Sequence, residues 1–283
     1  MLPESLPRYL APAKLNLNLH IIGRREDGYH ELESIFTLID WADELCLQVR
    51  KDGKICLHTI TPNVLPEQDL TVRAAKLLQH VSGSHLGADI WLQKHLPMGG
   101  GLGGGSSDAA TVLLVLNHLW QTHFSDDVLI ELAVKLGADV PFFVFGQTAF
   151  ARGIGERLQA INVPEKWYLV VKPNVHIATP KIFAHPDLTR NTPPCINPSY
   201  TALQPFKNDM QAVVLKEYPE VLQVFNILKQ YGQPLMTGSG ACVFLTFDDE
   251  QSAQKIANKL PEQWQIHIAK SLTKHPVKTQ FHQ

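Results

Sequence analysis

The sequence predicts an α+β fold in two domains, and three observations support this prediction. The chain has 283 residues, more than one hydrophobic core usually organises. Its first part alternates apolar and polar residues, as half-buried antiparallel strands do, and segments with helical spacing follow. With 45% apolar and 18% charged residues and no low-complexity run, the composition is that of a packed globular protein.

The opening segment predicts an antiparallel β layer. From residue 14 to residue 21, leucines and an isoleucine alternate with Lys14, Asn16 and further polar residues, so one face of this strand is polar. Further strands are predicted at residues 35–39 and 45–49. Asp52-Gly53 then predicts a hairpin turn into a strand at residues 55–57.

A helix is predicted at residues 69–81, where apolar residues recur at helical spacing behind Asp69 as the acidic cap. Ile90 and Leu92 predict a strand that enters a glycine-rich segment, and Ser106-Ser107-Asp108 predicts the cap of the next helix. The remaining patterns predict helices at 125–137, 209–217, 219–231 and 250–260, strands at 148–151, 167–171, 242–247 and 266–268, and an irregular proline-rich stretch at 186–205.

The loop around Gly153, Gly155 and Pro164 predicts a domain boundary near residue 160. We therefore expect an N-terminal domain at residues 1–160, which holds the glycine-rich segment, and a C-terminal domain at residues 161–283.

Charge and cysteine content narrow the possible partners. Lys and Arg total 25 against 27 Asp and Glu, so no net positive field favours nucleic acid or an anionic membrane surface. The four cysteines form no C-x-x-C pair, which fits a reducing compartment. The first residues lack the apolar core of a signal peptide, and no apolar stretch is long enough to span a bilayer. These features predict a cytoplasmic protein without nucleic-acid or membrane partners, and they leave its oligomeric state open.

One segment has the composition of a phosphate-binding loop. Six of the seven residues 99–105 are glycine, and a helical pattern follows directly. Such a run is expected where the backbone needs positive φ or must approach a ligand closely. The amides and the dipole of a helix start favour a bound anion. The predicted ATP-binding residues are Pro97, Met98, Gly99, Gly100, Gly101, Leu102, Gly103, Gly104, Gly105, Ser106 and Ser107.

Other interpretations of this loop fit less well. A flexible linker would not open into an amphipathic helix. Gly105 is followed by Ser106 and not by lysine, so the loop is not of the Walker type. The spacing of Gly99, Gly101 and Gly104 matches a dinucleotide fingerprint, but Asp126, about where a ribose-binding acid would fall, precedes a helical pattern and does not end a strand. The H-R-D and D-F-G motifs of protein kinases are missing.

The loop resembles the phosphate loop of the GHMP small-molecule kinases. Four further motifs, spread in order from residue 11 to beyond residue 240, resemble those family members that phosphorylate a cytidine diphosphate substrate in non-mevalonate isoprenoid synthesis. They are Ala11-Pro12-Ala13-Lys14-Leu15-Asn16-Leu17, Asp27-Gly28-Tyr29-His30, Leu136-Gly137-Ala138-Asp139-Val140-Pro141 and Thr237-Gly238-Ser239-Gly240-Ala241. The resemblance implies a two-domain α+β GHMP-kinase-like fold with an active-site cleft between the domains.

The resemblance also implies site residues. Lys14 and Asp139 would flank the reacting hydroxyl as the catalytic pair. Phosphoryl transfer needs a carboxylate that can take the hydroxyl proton, and a nearby ammonium favours the ionised carboxylate. Taken alone, Asp139 could equally be a helix N-cap and Lys14 a solvated lysine. Asn16 lies on the same strand face as Lys14 and would help to bind the substrate.

A base-binding clamp is implied as well. Tyr29 and Phe183 would sandwich the cytosine, with His30 at its edge and Thr179 nearby. From the residues alone, Phe183 could instead be a core residue behind a capped helix start. Asp69 stands where the family favours asparagine for nucleotide contact.

The resemblance implies ATP and a small-molecule cytidine diphosphate substrate, and the reaction class implies Mg²⁺, whose ligands the sequence does not identify. Three alternatives remain: another GHMP kinase, such as one for homoserine or mevalonate, a non-catalytic nucleotide-binding sensor on the same fold, and a nicotinamide-dependent oxidoreductase.

Overall fold

The computed structural model describes residues 2–59 and 64–281 and has the predicted mixture of helices and sheet. Its longest feature is an antiparallel pair, β1 (Tyr9–Arg24) and β2 (His30–Arg50). The two separate strands predicted within residues 35–49 form a single strand. The pairing register shifts between Pro12, which pairs with Ala42, and Ala13, which pairs with Ile39. A bulge at this point interrupts the pairing, and β2 continues as one strand beyond it.

The predicted hairpin at Asp52-Gly53 is wrong. Gly53 does turn the chain at φ 71°, but β3 (Ile55–Leu57) pairs in parallel with β4 (Gly87–Gln93) and not with β2. The edge of β2 that a hairpin needs is occupied by β4, which pairs with it from Glu44 to Arg50. The chain therefore crosses to the far side of β4.

The first half of the described chain contains four helices, of which α2 begins directly at the glycine-rich loop. They are α1 (Leu70–Ser82), α2 (Gly104–Leu119), α3 (Asp126–Val134) and α4 (Val140–Phe145). Asp69 accepts a hydrogen bond from Thr71 N and caps α1 as expected. The strands β5 (Ala149–Gly153) and β6 (Arg157–Ala160) follow, and β5 pairs with β2.

The second half adds a further group of strands to the same sheet. The sheet order is β3-β4-β2-β10-β7-β9-β8, and β10 joins the halves by pairing with β7 and with Ile39 and Leu38 of β2. The helices and strands of the second half are β7 (Trp167–Lys172), α5 (Thr179–Phe183), α6 (Gln211–Glu217), α7 (Pro219–Leu228), β8 (Leu235–Met236), β9 (Val243–Phe247), α8 (Glu250–Ala257), β10 (Gln265–Leu272) and α9 (Pro276–Phe281). The proline-rich stretch between α5 and α6 is irregular, as expected.

Three hydrophobic clusters hold these layers, and β1 contributes to all of them. Ala11 packs in the cluster that covers the first helices, Leu15 in the cluster around Tyr168 and Phe244, and Leu19 in the cluster beneath α6 and α7. Because β1 is shared in this way, its polar residues lie where the two halves of the chain meet. The division into separate domains at residue 160 stays a prediction.

Candidate active site

Lys14 and Asp139 lie close together, although 125 positions separate them in the chain. Lys14 Nζ is 4.0 Å from Asp139 Oδ2, the lysine side chain is 3% exposed and the aspartate side chain is 37% exposed. Burial lowers the pKa of Lys14, and the charge of Asp139 opposes that shift. The pair therefore places a buried cation beside a carboxylate that solvent and a ligand can reach.

Asp139 occupies the position before α4 but does not cap this helix with its side chain. Its backbone is helical (φ −87°, ψ −16°), whereas a capping residue is usually extended. Pro141 at the helix start removes one N–H group that a cap would serve. The N-cap interpretation of this carboxylate is thus not supported, and Asp139 is left facing Lys14.

Asn16 connects the strand that carries Lys14 to a second glycine turn, which is formed by residues 237–241. Its Oδ1 accepts hydrogen bonds from Lys14 Nζ (2.5 Å) and Gly238 N (2.9 Å), and its Nδ2 donates to Ser34 Oγ (2.8 Å). Thr237 Oγ1 also donates to Oδ1 at 3.2 Å. The structure therefore places Asn16 next to Lys14, whose ammonium it holds in place.

The glycine-rich loop has the backbone that its composition predicts. Gly99, Gly101 and Gly103 have φ of 66°, 74° and 74°, a region that other residues adopt only with strain. The helix α2 begins at Gly104 with Gly103 as its N-cap, so the predicted cap at Ser106-Ser107-Asp108 is wrong. Those residues lie inside the helix, and the first turn is left with main-chain amides and no side-chain cap.

The second glycine turn packs against the glycine-rich loop and hydrogen-bonds to it. Ala241 N donates to Gly99 O and Cys242 N donates to Gly100 O, both at 3.2 Å. A Cβ at Gly101 would collide with the carbonyl oxygen of Thr237. Two stretches of main chain therefore pack directly on each other, which explains the glycines on this side of the loop.

A groove of about 280 Å³ runs along the open side of the loop. It is lined by Leu70, Lys94 and Leu96 and by every predicted ATP-binding residue except Ser107, which is fully buried. Lys14 N donates to Leu102 O of this loop at 3.0 Å, so the strand that bears Lys14 is attached to the loop. The lining of the groove is thus in contact with Lys14.

A buried charge cluster that sequence reasoning missed holds both ends of this loop. Lys94 Nζ contacts Asp43 Oδ2 and is 2.7 Å from Asp108 Oδ2. Asp43 Oδ1 also accepts from the main-chain N–H groups of His95 and Leu96, at 2.6 and 2.8 Å. Burial, together with the neighbouring Asp43, raises the pKa of Asp108. The position of Lys94 beside the glycine run was the sole sequence signal for this cluster.

The residues predicted to clamp a base form one group at the start of β2. Phe183 stacks on His30, with ring centroids 4.8 Å apart and an angle of 23°. His30 is 8% exposed, whereas Tyr29 is 59% exposed. The Phe183 side chain is therefore half-buried, and the Tyr29 ring is exposed to solvent. Thr179, one helical turn before Phe183 in α5, hydrogen-bonds to Ser239 at 2.6 Å, so it contacts the second glycine turn.

Within residues 2–59 and 64–281, no three His, Cys, Asp or Glu side chains converge in a way that would hold a metal ion. Among the helices of the same residues, none combines the length and the apolar character needed to cross a bilayer.

Two family models match the chain. The model of the GHMP kinases N terminal domain matches residues 69–147, which include the glycine-rich loop and Asp139, and the model of the GHMP kinases C terminal matches residues 188–266. Known proteins are similar over nearly the whole length. The 4-diphosphocytidyl-2-C-methyl-D-erythritol kinase of Neisseria meningitidis serogroup B is 55% identical over 269 residues, which cover 95% of this chain and 96% of that protein.

More distant organisms and solved structures agree. The kinase of the same name from Thiobacillus denitrificans is 54% identical over 94% of this chain and 96% of its own length. A crystal structure of 4-(cytidine 5'-diphospho)-2C-methyl-D-erythritol kinase superposes with a TM-score of 0.80 at 33% identity, over 94% of this chain and 99% of that one. The mevalonate kinase of Methanococcus jannaschii, at 15% identity and a TM-score of 0.69, over 96% of this chain and all of that one, shares the fold.

Proposed function

This chain belongs to the GHMP kinase family of ATP-dependent phosphotransferases, and on that premise we propose that it phosphorylates 4-diphosphocytidyl-2-C-methyl-D-erythritol at its 2-hydroxyl. The observation that carries the proposal is the 4.0 Å approach of Lys14 Nζ to Asp139 Oδ2, with Lys14 N bonded to Leu102 O in the loop that lines the groove. The full-length relatives support this substrate over homoserine or mevalonate.

In the proposed reaction, the glycine loop and the start of α2 bind the polyphosphate of ATP through main-chain N–H groups. The substrate hydroxyl lies at Asp139, whose carboxylate accepts its proton as the oxygen attacks the γ-phosphorus and ADP leaves. Lys14, held by Asn16 at 2.5 Å, supplies positive charge to the transferring phosphoryl group. The cytidine end of the substrate lies at Tyr29, His30 and Phe183.

Mg²⁺ is part of the proposal. No cluster of three protein ligands is needed, because Mg²⁺ in kinases is held mainly by phosphates and water with one or two carboxylates. When bound, the ion would offset charge on the phosphate oxygens. A cytoplasmic location also belongs to the proposal, because Cys46, Cys56, Cys195 and Cys242 are all free thiols.

A substrate panel tests the proposal. ADP release from ATP should require the cytidyl substrate and should not occur with homoserine or mevalonate, and CDP should inhibit competitively against the cytidyl substrate. Release of ADP with homoserine or mevalonate, or a failure of CDP to inhibit, would contradict the cytidine assignment. Specific binding of ATP without turnover of any of the three would instead favour the sensor alternative.

A further inference from the structure

Arg190, which lies in the irregular stretch after α5, makes a dense set of contacts with the base-binding group. Its Nε–H donates to His30 Nε2 at 3.2 Å, and its Nη2 donates to the carbonyl oxygens of Phe183 and His185 at 2.8 and 2.7 Å. A further bond runs from Nη1 to Leu188 O at 3.1 Å. One guanidinium thus contacts both members of the stacked pair, His30 through its ring and Phe183 through its main-chain carbonyl.

The chemistry of arginine decides where the proton of His30 is. A guanidinium has five N–H donors, no acceptor, and stays charged at all ordinary pH values. His30 Nε2 must therefore accept the bond, and it can accept only when it carries no proton. The proton of a neutral ring then sits on Nδ1. Burial, aided by the charges of Arg190 and Arg24, lowers the pKa of His30, which favours the same neutral ring.

The opposite side of the ring is available for a ligand. No described residue hydrogen-bonds to Nδ1 of His30, and this nitrogen keeps some exposure to solvent. The imidazole therefore presents one fixed donor, on a ring that follows Tyr29 in the chain and stacks on Phe183. Cytosine has a bare acceptor at N3, whereas uracil carries a proton there, so a fixed N–H donor distinguishes the two bases.

We infer that Arg190 is a positioning residue that locks His30 as a neutral ring with its proton on Nδ1, and that through this lock Arg190 sets the preference of the site for cytosine over uracil. The second half of the inference rests on the proposed function, while the first half concerns the free protein. A site built to hydrogen-bond one group discriminates strongly against a ligand that cannot complete the bond, because a buried polar group is then left unpaired.

The first test is the tautomer of His30 in the free protein, measured by long-range ¹H–¹⁵N NMR at neutral pH. We expect the Nδ1–H form in the wild type and a mixture of tautomers in Arg190→Met, which keeps the aliphatic stem but has no donor. Arg8→Met is the matched control, because Arg8 is exposed and pairs with Glu44 at the surface, and it should leave the signals unchanged. A protonated Nε2 in the wild type would overturn the inference whatever the protein phosphorylates.

The second test is the ratio of CDP to UDP affinity, measured by calorimetry. We expect wild type and Arg8→Met to prefer CDP, and the preference to fall by about tenfold in Arg190→Met. Arg190→Lys keeps the charge and one donor nitrogen and should restore part of the preference for CDP. Equal affinity for CDP and UDP in the wild type would overturn the selection of cytosine. Binding of neither nucleotide would overturn the proposed function and leave the NMR result to decide the role of Arg190.

Two His30 variants keep the test decisive if Arg190→Met unfolds. An asparagine amide reaches about as far as Nδ1 of histidine, and a glutamine amide about as far as Nε2. His30→Asn should therefore retain more of the preference for CDP than His30→Gln. The reverse order would contradict a donor at Nδ1.

Discussion

Replacing Asp139 with asparagine removes the carboxylate charge at nearly constant size, and we expect kcat to fall by about 10²-fold or more. The carboxylate makes no capping bond to α4 that the amide would have to replace. Its identified partner is Lys14, 4.0 Å away. The loss should therefore fall on proton acceptance and hydroxyl positioning, with little change in the affinity for ATP.

The effect on stability should be small by comparison. Two unit charges 4 Å apart attract by about 4 kcal/mol at an effective dielectric constant of 20. Because the Asp139 side chain is 37% exposed, solvent screening reduces this to about 1 kcal/mol, or about 2 °C in Tm. Asp139 is also the main influence that opposes the effect of burial on Lys14, so the pKa of this lysine should fall further in the variant.

The assay is coupled ADP release with ATP and the cytidyl substrate, with Tm and the Kd for ATP measured on the same samples. Asp127→Asn is the matched control, since Asp127 is an exposed aspartate in the first turn of α3, and its kcat should stay within about twofold of wild type. An unchanged kcat in Asp139→Asn would refute the role of this carboxylate. A Tm loss many times larger than expected would show that its role is structural.

Three further predictions follow from the same geometry. Lys14→Met removes a buried ammonium whose charge burial disfavours, so we expect Tm, measured by differential scanning fluorimetry, to stay level or rise while kcat falls by about 10²-fold. Gly101→Ala places a Cβ against Thr237 O at a φ of 74°, so calorimetry should show ATP affinity at least about tenfold weaker. Asp108→Asn removes a carboxyl group whose pKa burial raises to about 8 in the folded state, so the wild type loses stability as pH rises toward that value. The Tm advantage of the variant over wild type should therefore grow from pH 6 to about pH 8 and then level off.

Each of these three predictions can fail clearly. A marked loss of Tm in Lys14→Met would mean that the buried cation stabilises the fold. Normal ATP affinity in Gly101→Ala would show that nucleotide binding does not depend on the close packing of the two glycine turns. A Tm difference between Asp108→Asn and wild type that does not change with pH would mean that Asp108 keeps the same protonation state in the folded and unfolded chain.

The parts of the site that local rules control could be predicted from the sequence. The positive φ angles of the loop could be predicted because its sequence is unusually rich in glycine. The alternation of polar and apolar residues around Lys14 likewise predicted a strand with one polar face. The family resemblance then connected Lys14 with Asp139, which no local pattern could do. The GHMP fold and the kinase class are confirmed.

The parts that depend on tertiary contacts could not be predicted. Asp43 and Asp108 look like ordinary residues of a strand and a helix, and their role depends on Lys94 lying between them. Arg190 lies in an irregular stretch where no periodicity exists to interpret. The hairpin error at Gly53 has the same origin, because turn chemistry fixes where a chain reverses and not which strand edge is free to pair.

The most direct test of the proposed mechanism is a crystal structure with a non-hydrolysable ATP analogue and the cytidyl substrate bound together. We expect the phosphates to lie against the amides of residues 99–105, and the substrate hydroxyl oxygen to lie about 3 to 3.5 Å from the terminal phosphorus and within hydrogen-bond reach of Asp139. A terminal phosphate bound away from those amides, or a hydroxyl out of reach of both Lys14 and Asp139, would contradict the mechanism.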